Sequence, residues 1–150
     1  MREMYTSDNS VRVSEIMSAP VITADENESI KSIAQKMNKH GINSVIIADK
    51  LNTPIGMITE RDIIGKLLTK KRNLLFAKAK HIMTKPVVTI SKDTKLEDAA
   101  KIMVEKHIKK LCVVDENNKI IGIITESDII KNATYLIEVL KDIIETGYQR

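Results

Sequence analysis

Aromatic residues are nearly missing from this chain: it has no tryptophan, one phenylalanine and three tyrosines in 150 residues. A stacking platform for single-stranded nucleic acid therefore has almost nothing to be built from. Cysteine is equally scarce. The only one, Cys112, lies in an apolar run; this excludes an intramolecular disulfide and points to a reduced, cytoplasmic setting with a buried, inert thiol. Five glycines form no Gly-rich phosphate loop, and no G-x-S-x-G turn is present. His40, His81 and His107 have no metal-ligand spacing with one another or with Cys112. No apolar run approaches the length of a membrane span, and Met1–Ser10 is polar without an apolar signal core. The expectation is a soluble protein that is neither exported nor membrane-bound, with a flexible tail over 1–10.

Charge is modest at +4, supplied mostly by lysine. Part of the excess falls in the connector between Lys66 and Lys80, where Lys66, Lys70, Lys71, Arg72, Lys78 and Lys80 meet no acidic residue. A solvated linker over 69–78 is the plainer interpretation; a contact with phosphates, nucleic acid or an acidic partner is the alternative.

What the chain does have is a duplication. Val13–Gly65 aligns with Ala79–Lys131 at a constant offset of 66 residues, with about 18 of the 53 positions identical. Ile16-Met17-x-x-Pro20-Val21-x-Thr23 returns as Ile82-Met83-x-x-Pro86-Val87-x-Thr89, and Ile58-Thr59-Glu60-x-Asp62-Ile63-Ile64 returns as Ile124-Thr125-Glu126-x-Asp128-Ile129-Ile130. A unit this short buries its apolar face only against its twin, so the copies should pack about a pseudo-twofold axis and enclose two related clefts.

Each copy reads as β-α-β-β-α, an α/β (α+β) unit. Val21–Thr23 and Val87–Ile90 are β-branched extended segments. Helices follow, with apolar stripes at Ile30, Ile33, Ala34, Met37 and at Leu96, Ala99, Ala100, Met103; Asn27 and Asp93 are the expected N-caps. Two strands come next in each copy, Val45–Ala48 with Ile55–Ile58 and Leu111–Val114 with Ile120–Ile124, joined by polar turns that start at Asp49 and Asp115. Their apolar runs lack clean alternation, which predicts burial on both faces. Gly56 and Gly122 should permit close backbone approach. A second helix starts near Asp62 and Asp128, with Ile63, Ile64, Leu67 and Leu68 as its apolar face in copy one. A further helix is expected over 133–150, striped by Leu136, Val139, Leu140, Ile143 and Ile144. The divisions are thus 11–68, the linker 69–78, 79–132 and 133–150.

The chemically richest element is Thr59-x-x-Asp62 with its double, Thr125-x-x-Asp128. The structural explanation is a capping box, in which threonine caps a helix and the acid at the third position reaches back. The functional one uses the same placement: a carboxylate at a strand-to-helix junction can accept hydrogen bonds from the 2′- and 3′-hydroxyls of a ribose, and a helix N-terminus beside it favours an anion. The two are compatible.

With two such motifs at a fixed offset, the chain resembles a pair of CBS domains, the cystathionine-β-synthase motif of tandem Bateman modules, over Val13 to about Lys131. The resemblance implies a non-catalytic regulatory module that needs no cofactor, binds AMP, ADP, ATP or S-adenosylmethionine between the copies, and dimerises through helices. It further implies that Thr125 and Asp128 take the ribose of one cleft, with Met17, Ile22, Ile42 and Asn43 around the base, and that Thr59 and Asp62 take the other, with Met83, Val88 and Ile108. The basic pair Lys109-Lys110 is expected to meet phosphate beside Asp128, with Ser127 in that motif; the matching pair Asn43-Ser44 is uncharged, and Arg61 would compensate. The Asp128 cleft is therefore expected to prefer phosphorylated ligands. The alternative is a scaffold that docks a protein or nucleic-acid partner through the basic linker and the C-terminal helix.

Overall fold

The computed structural model describes residues 10–68, Asn73 and 76–147. Residues 1–9 of the tail expected over 1–10 and the cations Lys70, Lys71 and Arg72 of the linker lie outside the described residues, as do the side chains of Leu67, Leu68, Leu136, Val139, Leu140 and Ile143.

Each copy opens with one helical turn, α1 (Val13–Ile16) or α4 (Ala79–Ile82), which precedes the unit read from sequence. Then come β1 (Thr23–Ala24), α2 (Ile30–His40), β2 (Ser44–Ala48), β3 (Pro54–Thr59) and α3 (Glu60–Asp62), which runs on as a π-helix over Ile63–Leu68. The second copy gives β4 (Thr89–Ser91), α5 (Leu96–Lys106), β5 (Lys110–Val114), β6 (Ile120–Thr125) and α6 (Glu126–Gly147). The last helix of copy two and the helix expected from residue 133 are one continuous α6. Each copy forms a three-stranded sheet, β1-β2-β3 or β4-β5-β6, with the first pair parallel and the second antiparallel.

The central strands are buried along nearly their whole length, and alternate residues serve two cores. Val45 and Ile47 face α2 in one core, Leu111 and Val113 face α5 in another, and Ile46, Ala48, Cys112 and Val114 meet between the sheets. This two-faced burial is the physical reason that β2 and β5 show no polar alternation. The outer strands β3 and β6 alternate between buried and partly buried residues: Ile58 and Ile124 face the helix-side cores, while Met57 and Ile123 pack on the cluster between the sheets.

The copies are intertwined by exchange of their opening segments. Ser18 and Ile123 bond reciprocally through their backbones at 2.9 and 3.1 Å, so the segment after α1 extends the edge of the other copy's sheet. Thr84 and Met57 do the same at 2.9 and 3.0 Å. Val13 packs in the second copy's core, and Ile82 in the first's. Gly56 and Gly122 make this approach possible. A Cβ on Gly56 would stand 2.5 Å from Met83 Sδ, and one on Gly122 would stand 2.9 Å from Met17 Cγ.

Helix starts differ from the sequence expectation. Ser29, not Asn27, caps α2, its hydroxyl accepting from the Ser32 N–H at 3.1 Å. In copy two the N-cap is Lys95, with no side-chain cap, rather than Asp93. The backbone N–H groups of Asn27 and Asp93 are committed to turns, donating to Asp25 Oδ1 and Ser91 Oγ at 2.8 and 3.2 Å; this local bonding delays the helix by two residues. The hairpin turns follow the sequence reading: Asp49 Oδ1 accepts from the Leu51 and Thr53 N–H groups, and Asp115 Oδ1 from those of Asn117 and Lys119.

Candidate functional site

Two clefts lie between the copies. The larger, about 840 Å³, is walled by Val21, Ile22, Ile42 and Ile123 and edged by Thr125, Asn43 and Lys110. The smaller, about 450 Å³, holds Thr59, Arg61 and Asp62 opposite Val88, Ile108, Lys109 and Lys110. Both volumes lie within the range of small-molecule sites, whose walls are mostly apolar with a few placed polar groups.

Thr59 and Asp62 line the smaller cleft where β3 ends and α3 begins, and Thr125 edges the larger one where β6 hands over to α6; Asp128, three residues further on, is not among the larger cleft's lining residues. Thr59 caps α3: its Oγ1 accepts from the Asp62 N–H at 3.2 Å while Asp62 Oδ2 accepts from the Thr59 N–H at 2.9 Å. Thr125 and Asp128 reproduce both bonds at 3.3 and 2.9 Å. The capping explanation holds in both copies, and each cap leaves its carboxylate half-buried at the mouth of a helix.

The two carboxylates differ in what else they touch. Asp62 Oδ1 accepts from Thr84 Oγ1 at 3.1 Å and pairs with the Lys66 ammonium at 3.1 Å. Burial by itself would raise the Asp62 carboxyl, but the Thr59 N–H, Lys66 and Thr84 outweigh it and hold it below its ordinary value. At Asp128 the position matching Lys66 is Asn132, whose amide turns away to donate to the Asp128 backbone carbonyl at 3.0 Å.

The base-pocket residues divide. Ile22, Ile42 and Asn43 line the larger cleft, and Val88 and Ile108 the smaller. Met17 and Met83 are committed to covering Gly122 and Gly56, which is their packing role in the exchange. Only half of the basic pair reaches the cleft edged by Thr125, where both were expected. Lys109 lines the Asp62 cleft beside Arg61, and Lys110 reaches both clefts. The reason is the symmetry itself: Lys109 occupies in copy two the place of Asn43 in copy one, so each serves the cleft of the other copy's carboxylate. Ser127 is exposed in the first turn of α6. Cation density thus lies on the Asp62 side, the reverse of the expected asymmetry.

Lys110 is the hinge of this arrangement. Its ammonium donates to Asn43 Oδ1, and desolvation lowers its pKa despite the opposing pull of Glu60. Asn43, Glu60 and Lys110 line both clefts. Sequence reasoning missed Lys66, Thr84 and Glu60 as site residues; comparing each with its partner 66 positions away would have singled out Lys66 against Asn132. Among the described residues no cluster of His, Cys, Asp or Glu is arranged to hold a metal ion, and no helix is long and apolar enough to cross a membrane.

The family model described as CBS domain matches residues 13–69 and again 79–135. An uncharacterized protein of Methanopyrus kandleri is 41% identical over 133 residues, covering 89% of this chain and 68% of its own length. Inosine-5′-monophosphate dehydrogenase of Methanocaldococcus jannaschii is 31% identical over 124 residues, covering 83% of this chain; the chain spans only 24% of that enzyme. Among solved structures, the CBS domain pair of protein MJ0100, in complex with 5′-methylthioadenosine and S-adenosyl-L-methionine, superposes with a TM-score of 0.76. It is 33% identical and covers 83% of this chain and 97% of that one. Two matched units, exchanged opening segments and the twin clefts between them have one common explanation: this chain belongs to the CBS domain family and is a tandem CBS pair.

Proposed function

We propose that the chain is a regulatory sensor that binds an adenosyl compound in the clefts between its two CBS units and is not itself a catalyst. The observation that carries this reading is the doubled Thr-x-x-Asp cap where a strand hands over to a helix, with Thr59 and Asp62 lining one apolar cleft and Thr125 edging the other. Such a carboxylate suits a ribose diol, and the Ile22 and Ile42 walls suit a purine face. The 33%-identical CBS pair, with its two adenosyl ligands, supports the same ligand class. Arg61, Lys109 and Lys110 around the Asp62 cleft favour a phosphorylated member there, AMP, ADP or ATP, over the cationic S-adenosylmethionine.

Response to ligand requires two arrangements with different affinity for it. The exchange of opening segments supplies a mechanical link, since Ser18 of copy one bonds to β6 of copy two and Thr84 of copy two bonds to β3 of copy one. Ile130, Ile137 and Ile144, seven residues apart and all exposed on α6, fit a homodimer contact through that helix. The buried Cys112 thiol suits a reduced, cytoplasmic setting.

A thermal-shift panel with AMP, ATP and S-adenosylmethionine tests the reading. A ligand at 100 times its Kd stabilises the native state by about 2.7 kcal/mol, which for a chain of this size raises Tm by roughly 5–10 °C. Flat responses to all three, with salt-sensitive binding to a nucleic acid instead, would replace the sensor by the scaffold.

A further inference from the structure

The two Thr-x-x-Asp motifs agree in sequence and differ in what has reached them first. At Asp62 both carboxylate oxygens are engaged. Oδ2 accepts from the Thr59 N–H and hydroxyl, and Oδ1 accepts from Thr84 and pairs with Lys66. Lys66 is itself anchored to the other copy: its ammonium also donates to the Ile82 carbonyl at 3.1 Å and to Thr84 Oγ1 at 3.0 Å. The Asp62 side chain is left 12% exposed. At Asp128, among the described residues, only the Thr125 N–H donates to the carboxylate, and Asn132 faces the backbone instead. The backbone differs in step, a π-helix carrying Lys66 where its counterpart carrying Asn132 is α-helical.

We propose that Lys66 is the specificity-determining residue that closes the Asp62 carboxylate to ribose, so that an adenosyl ligand without phosphate fills the Asp128 cleft first. The proposal rests on the adenosyl reading above. A ribose diol acts on a carboxylate as a donor, and among the described residues Asp128 Oδ1 accepts from no other group. At Asp62 the same hydroxyls must displace an ammonium and a threonine hydroxyl. The ammonium bond is charge-assisted, the stronger kind, and moving Lys66 also releases its hold on Ile82 and Thr84. Occupying the second cleft is therefore coupled to loosening α4 and the segment after it from copy one. Filling this cleft needs more than affinity for the base; a phosphate held by Arg61, Lys109 and Lys110 is a further contribution that a neutral ligand lacks.

The test is calorimetric titration of the full chain with 5′-methylthioadenosine, which offers the cations no phosphate. Two steps are expected, a tight one that Asp128→Asn abolishes and a second weaker by about tenfold or more, the equivalent of one charge-assisted bond. Lys66→Asn, which installs copy two's residue, should strengthen the weak step by about tenfold and leave the tight one alone. Asn132→Lys is the reciprocal variant and should weaken the tight step, which keeps the proposal testable if Lys66→Asn folds poorly. If Asp128→Asn removes the tight step but neither swap moves its own step, Lys66 has no such role and the adenosyl reading stands. If no heat is seen in either cleft, both fall together.

Discussion

The interlocking of the copies predicts a specific coupling between Gly122 and Met17. An alanine at 122 would put its Cβ 2.9 Å from Met17 Cγ and 3.2 Å from Met17 Cβ, with Sδ nearer still, whereas relaxed carbon contacts lie at about 3.5–4.0 Å. Met17 must therefore be driven off its seat on β6, and α1 with it. Overpacking of this kind costs about 1–3 kcal/mol. Removing a glycine from the unfolded chain offsets about 0.4–1 kcal/mol of that, leaving a net loss of about 1–2 kcal/mol. Met17→Ala alone loses a partly buried side chain, at about 2 kcal/mol, the low end of the range for core methionines. Combined, the two changes should not sum, because the new methyl occupies space that the missing side chain vacates. The double variant should be about as stable as Met17→Ala by itself, an interaction of about 1–2 kcal/mol in a double-mutant cycle. Urea unfolding of the four proteins measures it. Additivity to within about 0.5 kcal/mol would refute the claim that α1 docks on the opposite copy. Gly56→Ala with Met83→Ala is an independent replicate, because its geometry is the same, with Sδ at 2.5 Å.

Ser29→Ala should destabilise by about 1 kcal/mol through loss of the α2 cap, while Asn27→Ala stays within about 0.5 kcal/mol of wild type; chemical denaturation separates them. Asp62 gives a pH signature. Its folded carboxyl lies below its unfolded value of about 3.9, so its contribution is present above that pH and is lost as pH falls through the folded value. The stability gap between wild type and Asp62→Asn should accordingly close on acidification below about pH 4, and a gap constant down to pH 2 would contradict the assignment. Burial pushes the Cys112 thiol up to about 12, so it should resist a thiol reagent at pH 8 until the chain is unfolded. Because the unfolded thiol ionises near 8.5 and the folded one does not, its contribution is lost as pH rises between those values, and Cys112→Ala should show a flatter alkaline stability profile.

Much of this was legible in the chain. The offset of 66 residues exposed the two units, the aspartates at 49 and 115 marked the hairpins, and Gly56 and Gly122 announced close approach, though not against what. The exchange of opening segments was hidden, because pairing Ser18 with Ile123 leaves no local periodicity to read. Asn27 and Asp93 misled as caps because their N–H groups serve turns at Asp25 and Ser91. Of the expected face Ile63, Ile64, Leu67 and Leu68, Ile63 packs on the first core and Ile64 is 58% exposed at the edge of the larger cleft, the other two side chains lying outside the described residues. Lys109, expected beside Asp128, lines the Asp62 cleft because the offset of 66 pairs it with Asn43. Lys66 escaped for a simpler reason: it stands one position beyond the aligned block, where the copies cease to match.

The most direct measurement is a crystal structure of the full chain grown with AMP at saturating concentration. The nucleotide should lie in a cleft between the copies, with its ribose hydroxyls within hydrogen-bond distance of the Asp128 or Asp62 carboxylate and its base against the apolar wall. AMP bound with no contact to either aspartate, or clefts that stay empty at saturation, would contradict the adenosyl reading.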